Sequence, residues 1–274
     1  LTVQNYTDIA NKMITYAGVY REGGSEQSAT WTDEWYDGCG LTQQEYTNAY
    51  QSMLKYVYNY GGFWIGRYEA GIDGSITDLS KGRTSSSSRI VIGTSPKVIS
   101  QKDAIPYTYT YCSEAQKLTN EMTPDSNYRT SLMFGIQWDL TCKFLEVKSD
   151  LTADDINKVS KIWGNNSNVA RTITSANAKQ SSNFGNSWTT INGYKPSSPV
   201  ILSTGASDET KKMNIYDLCG NVWERTLEKS SFTNLPCTER GNDFINQYAV
   251  SYRYCDGIEY ANNNRGFRPT LYKK

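Results

Sequence analysis

The sequence contains no histidine, and that absence removes the commonest general base, proton shuttle and transition-metal ligand together. It has no net charge, with 28 basic and 28 acidic side chains and no run of either sign. That argues against a nucleic-acid or anionic-membrane partner, since both require a clustered positive field. No apolar stretch approaches the roughly 20 residues of a membrane span, so membrane insertion is not expected, and no secretory signal peptide is visible. The chain begins at Leu1 rather than Met, as it would if an upstream segment had been trimmed. Its cysteines, at 39, 112, 142, 219, 237 and 255, include no CxxC spacing and have no histidine to complete a zinc site. Their even number permits disulfides, but Cys112 and Cys142 fall in helical patterns with apolar neighbours, where buried free thiols are expected.

What is present is length and tyrosine. At 274 residues the chain is long enough to bury a substantial core, as one large domain or two small ones. Tyr occurs 21 times beside 7 Trp, and Asn and Ser share its loops. Tyr with Ser, Gly and Asn is the palette of adaptable binding surfaces, because Tyr offers a large amphipathic contact with two torsions to freeze. A loop-rich β protein that packs Tyr in its sheets would have the same composition.

Local patterns predict an α+β chain. Residues 1–41 read as an irregular N-terminal extension with a short helical pattern near Tyr6 to Tyr16. Thr42-Gln-Gln-Glu45 is a capping box, and Tyr46, Tyr50, Met53, Leu54 and Val57 recur at helical spacing, so a helix runs to about Tyr60 and Gly61-Gly62 ends it. Phe63 to Ala70 reads as a strand. Ser80 to Ser88 is a Ser-rich loop into which no function is read. Ser113 is expected to cap a second helix through about Met122, with Ala115, Leu118 and Met122 inward. Thr130 or Ser131 is expected to open a third, with Leu132, Ile136, Leu140 and Phe144 on one stripe. From about 163 to 210, Asn, Ser, Gly and Thr dominate, which predicts long loops and short strands without a domain boundary.

The strongest motifs close the chain: Asn214-Ile-Tyr-Asp-Leu-Cys-Gly-Asn-Val-Trp-Glu224, Arg240-Gly241, Ser251-Tyr-Arg-Tyr254 and Gly266-Phe-Arg-Pro269. With the Tyr68-Glu69 pair and Gln137-Trp138-Asp139, they resemble the formylglycine-generating-enzyme (sulfatase-modifying factor) family. That resemblance implies a C-type-lectin-like fold, a small mixed sheet with packed helices and much irregular backbone, formed by residues 1–274 as a single domain. In the family's oxidase branch two cysteines bind copper. Alignment on Arg240-Gly241 and Arg253-Tyr254 puts Asn246 and Ser251 at those positions, and neither replaces a thiolate. A second, iron-dependent branch uses histidine ligands, absent here. Kinship of fold does not carry activity with it. Asp217, Glu224, Asp243, Asp256 and Glu259 could pair for acid–base work, but no spacing singles out an acid and a base. No enzymatic activity is therefore expected, and a copper oxidase of this family is the alternative.

The same closing segment resembles, more narrowly, the variable proteins of diversity-generating retroelements, whose last codons are rewritten at adenines by an error-prone reverse transcriptase. Asn codons altered only at adenine can yield Asn, Asp, Tyr, Ile, Phe, Cys, Ser or Gly, but not Glu or Gln. Within a variable region spanning 240–265, the resemblance makes Asn242, Asp243, Phe244, Ile245, Asn246, Tyr252, Tyr254, Cys255, Asp256, Ile258, Tyr260, Asn262, Asn263 and Asn264 the diversifiable binding positions, with Gln247 and Glu259 fixed. Trp223, Arg253, Gly266, Phe267 and Arg268 are scaffold anchors: the ring packs, and the guanidiniums hold loops by bidentate hydrogen bonds. Asn221 and Glu224 offer hard oxygen ligands for calcium of the kind the family sometimes binds, or Glu224 serves as a structural partner; no other cofactor is implied. The implied function is non-catalytic recognition of a protein or other macromolecular ligand at a cell or phage surface. An undiversified phage tail or surface module is a further alternative.

Overall fold

The capping box at Thr42 forms as its spacing predicts. Glu45 N–H donates to Thr42 Oγ1 at 3.2 Å and Thr42 N–H to Glu45 Oε2 at 2.8 Å, satisfying two of the donors a helix start leaves open. The helix α2 that follows, Gln43–Tyr60, ends at Gly61, whose φ of 77° is the left-handed C-cap that glycine adopts without steric cost. The computed structural model of the chain describes residues 1–21, 28–73, 97–159, 163–182 and 187–274; the Ser-rich segment 80–88 lies outside them.

Two local expectations are corrected. The helical pattern expected near Tyr6 to Tyr16 forms as a longer helix, α1, Val3–Ala17, capped reciprocally by Thr2 and Asn5, so the N-terminal segment is more regular than expected. Helix α1 packs against α2 and α4 (Gly135–Lys148). Nor does a helix open at Thr130 or Ser131, because Tyr128–Leu132 is a strand, antiparallel to Pro269–Lys273. The helix begins at Gly135, where the Asp33 carboxylate accepts the Gly135 and Ile136 N–H groups at 2.6 and 3.1 Å. A carboxylate from far along the chain thus occupies the positive end of the helix dipole. The stripe of Leu132, Ile136, Leu140 and Phe144 is split as a result, and Phe144 is left 41% exposed. Helix α3, Cys112–Glu121, starts one residue before the expected cap and is held by Glu114 accepting from Tyr111 N–H at 2.8 Å. The short α5 is Ala153–Asn157. Of the strand expected over 63–70, only Trp64–Ile65 pairs.

The architecture is mixed, 29% helix and 24% strand, with curled antiparallel sheets. In the largest sheet, Trp223–Ser230 pairs antiparallel with Cys237–Arg240 and, at its C-terminal end, with Trp31–Thr32; it pairs parallel with Arg265–Phe267. Cys237–Arg240 then pairs with Arg253–Asp256. A second sheet sets Pro269–Lys273 between Trp64–Ile65 and Tyr128–Leu132. Residues 171–202 contribute strands of two or three residues, as composition predicts, but the described connections 173–178, 191–193 and 196–200 are short rather than the long loops expected. One core joins α1, α2 and α3 to the sheets through Tyr46, Met53, Leu118, Phe134, Leu227 and Phe267; a second gathers Trp138, Trp163, Leu218 and Val250.

The closing motifs have local physical causes. At Gly220, φ is 84° and a Cβ would sit 2.4 Å from the Asn165 carbonyl oxygen, so only glycine fits. A Cβ on Gly266 would lie 2.6 Å from the Val222 side chain. Arg268 sits where the chain leaves one sheet and enters the other, and Phe267 is fully buried beside it. All six cysteines are buried free thiols. Among the described residues, no helix is long and apolar enough to cross a membrane.

Candidate functional site

The segment 240–265 is held by ion pairs taken out of water. Arg253 donates from Nε to Glu228 Oε1 at 2.9 Å and from Nη2 to both oxygens of Asp139 at 2.9 and 2.8 Å, and its Nη1 reaches the Tyr20 carbonyl at 3.0 Å. Arg240 bridges the same carboxylates, with Glu228 at 2.9 Å and Asp139 at 2.7 Å. Arg21 adds a third guanidinium, at 3.2 Å from Asp139, 3.3 Å from Glu228 and 3.2 Å from Asp33. Three cations thus face three carboxylates, which fulfils the condition under which buried charge is tolerable. Strands 223–230, 237–240 and 253–256, helix α4 and the N-terminal segment meet at this knot.

Two smaller pairings complete the frame. Arg268 grips Glu224 with Nε and Nη2, at 2.9, 3.0 and 2.6 Å, and also donates to the carbonyls of Gly66 and Tyr216 at 2.9 and 2.8 Å. Arg265 joins Glu239 at 2.8 Å and Asp256 at 3.0 Å, while Arg225 meets Glu239 at 3.1 Å. Arg253 and Arg268, expected as loop-holding anchors, lie in these ion pairs, and Trp223, Gly266 and Phe267, expected with them, are buried.

The carboxylates of the frame split by sign: burial outweighs the neighbouring guanidiniums at Asp33, pushed up to about 6, and at Glu224 and Glu239, pushed up to about 7, and Glu228 goes the other way. Burial pushes the Glu228 carboxyl up, but the guanidiniums of Arg253, Arg240 and Arg21 together outweigh burial and hold it at about 2. A folded-state value below the ordinary 4.5 means that this stability is fully present above that value and is lost as pH falls toward the folded one. Melting temperature, followed by circular dichroism from neutral to acid pH, should fall across that window. A fall at 1 M salt as steep as at low salt would match the enclosure of this knot, since surface pairs are screened and buried ones are not.

The fourteen expected binding positions divide sharply. Asn242, Asp243 and Phe244 are fully buried, and Cys255 and Asn264 nearly so, so they present no surface. Asp243 is a hub: it accepts the Ile245 and Asn246 N–H groups at 3.0 and 2.7 Å, the Asn246 amide at 3.0 Å and the Asn264 amide. Asn242, with φ 73°, donates to Asn166 Oδ1 at 2.7 Å. Phe244 packs with Ile201 and Val222. Asp256 is spent on Arg265. Ile258 packs elsewhere, close over Gly38 and beside a groove with Trp35 and Tyr36.

The remaining positions, Ile245, Asn246, Tyr252, Tyr254, Tyr260, Asn262 and Asn263, are partly exposed, Tyr260 the most at 40%, and aromatic stacking draws several of them together. The Trp223 ring is a floor for Tyr248, Tyr252 and Tyr254, with centroids at 5.7, 6.1 and 5.6 Å, and Tyr248 stacks on Tyr252 at 4.4 Å. Arg265 lies over the rings of both Tyr254 and Tyr260, at 5.3 and 5.4 Å. Asn262 donates to Tyr260 OH at 3.0 Å. Tyr248 was missing from the expected set. Its signal is the recurrence of Tyr at 248, 252 and 254.

No protein family profile matches the chain, and no curated protein matches it.

The implied metal sites do not fit the residues present. Asn221 is engaged on both sides of its amide, donating to Glu69 at 2.6 Å and accepting from Asn165 and Leu202 N–H at 2.9 and 3.0 Å, while Glu224 belongs to Arg268. A calcium ion would have to displace that guanidinium. Asn246 and Ser251, at the positions aligned with the copper-binding thiols, offer no soft donor. The Ser251 hydroxyl, with one proton to donate, is already within hydrogen-bond distance of two acceptors, the Ile156 carbonyl at 3.1 Å and Asn157 Oδ1 at 2.7 Å. Among the described residues, no three His, Cys, Asp or Glu side chains converge as a metal site.

Proposed function

We propose that this chain is a non-catalytic binding protein that presents Tyr248, Tyr252, Tyr254, Tyr260, Asn262 and Asn263, with Ile245 and Asn246 at the margin, to a macromolecular partner. The observation that carries the reading is the Tyr cluster laid on Trp223 and fixed laterally by Arg265. Rigid aromatic anchors on a pre-ordered base lose little entropy on binding, and short polar residues around them adapt to different contacts. Tyr, Trp and Arg are also the side chains that most often dominate interface energies.

In this reading the scaffold is a C-type-lectin-like domain of the formylglycine-generating-enzyme type, and the surface is rewritten by a diversity-generating retroelement. The partner is a protein or other macromolecule displayed on a cell or virion. The division between enclosed and exposed positions narrows the replaceable set: substitutions should accumulate at 252, 254, 260, 262 and 263, and be sparse at 242, 243, 244 and 264. Sequencing the gene's neighbourhood tests this. The expected finding is a reverse transcriptase gene and a near-copy of the last codons that differs only at adenines. Differences spread over all four bases, or concentrated in the enclosed codons, would remove the retroelement from the account.

A further inference from the structure

A second concave surface lies on other elements of the fold. Helix α1, the end of α2, helix α4 and residues 213–215 enclose a groove of about 900 Å³, within the range of small-molecule sites. Ile9, Met13 and Ile215 form part of its lining and are themselves buried, whereas Tyr16, Phe144 and Val147 are 57%, 41% and 51% exposed along it. So much contiguous apolar surface left open calls for an occupant.

The charges on the groove say which kind. Lys12, Arg67 and Lys148 line it, and among the described lining residues the only carboxylate is Asp8, one oxygen of which already accepts from Gln4 at 2.8 Å. A second copy docked by a two-fold axis would set these cations against themselves. An apolar body with a single anionic head satisfies both features: the chain covers the exposed aromatic and aliphatic walls, and the head meets the lysine and arginine groups by charge-assisted hydrogen bonds.

We propose that this groove binds a small anionic amphiphile, a free long-chain carboxylate in chemical class, independently of the tyrosine surface. Lys12 and Lys148 arise from helices that pack on each other, and both line the groove, so its wall offers the head group cations from two elements. The Phe144 side chain, which the helical stripe would otherwise have buried, and its neighbour Val147 supply the wall for the chain.

Calorimetric titration of the full chain with dodecanoate, kept below its micelle concentration, tests the proposal. Saturable binding at one site is expected, weakened about tenfold in the Lys12→Gln, Lys148→Gln double variant by loss of the charged contacts. Phe144→Asp should abolish binding. Because all three positions are exposed or partly so, melting temperatures should stay unchanged, which separates lost binding from lost folding. A trimethylammonium amphiphile of the same chain length should not bind. No saturable heat, equal binding of the cationic amphiphile, or indifference to the double variant would overturn the proposal. So would capture of anionic vesicles without binding of free dodecanoate, or a dimer in sedimentation that Phe144→Asp converts to monomer. None of these outcomes bears on the tyrosine surface, which lies on different elements.

Discussion

Glu228→Ala should destabilise the protein by about 3–5 kcal/mol, the ordinary cost of removing one partner from a buried ion pair, and at the upper end it should yield no folded protein. The size follows from what remains. Arg253 and Arg240 each lose a contact of 2.9 Å, and Asp139 with Asp33 is left to face three guanidiniums. The loss would also propagate, because this carboxylate joins the strand 223–230 to the strands 237–240 and 253–256. Urea denaturation monitored by tryptophan fluorescence measures it. Glu209→Ala is the control: that side chain is 43% exposed, and its nearest cation, Arg171, is 3.9 Å away, so a change within about 0.5 kcal/mol is expected.

Phe244→Ala should cost about 3–5 kcal/mol, as for a fully enclosed aromatic whose removal leaves a cavity. Its side chain is 0% exposed and contacts Ile201 and Val222, so little can collapse into the space. Tyr260→Ala, within the same C-terminal segment, should cost about 1 kcal/mol or less, because its exposed ring contributes a cation–π contact with Arg265 and one solvent-exposed hydrogen bond from Asn262. Denaturation midpoints of the two variants provide the comparison. Equal costs would mean that the segment lacks the division between frame and surface described above.

The parts of this molecule legible in its sequence are those decided within a few residues. The Thr42 to Glu45 box and the Gly61 stop define α2 because each feature is local. The α1 box escaped notice because Asn5, rather than Glu or Gln, answers Thr2. Tyr128 to Leu132 could not be read as a strand: its helical stripe continues unbroken into α4, and its partner, Pro269–Lys273, lies at the far end of the chain. The roles of Arg253 and Arg268 were readable from their aromatic settings, but Asp139, Glu228 and Glu224 as their partners were not. The same reason explains why Asn242, Asp243 and Phe244 passed for surface. They are short or adaptable residues in a polar stretch, and only the reach of Asp243 to Asn264 and of Asn242 to Asn166 puts them inside.

The frame-and-surface division is also what the proposal of a binding site at the tyrosine cluster rests on. A pooled library randomised at Tyr252, Tyr254, Tyr260, Asn262 and Asn263, beside a second randomised at Asn242, Asp243, Phe244, Asn264 and Arg265, tests it most directly when both are sorted for folded, protease-resistant protein on a display host. Most members of the first library should remain folded, and nearly all of the second should be lost. Similar survival in the two libraries would contradict the claim that a replaceable surface rests on a fixed scaffold.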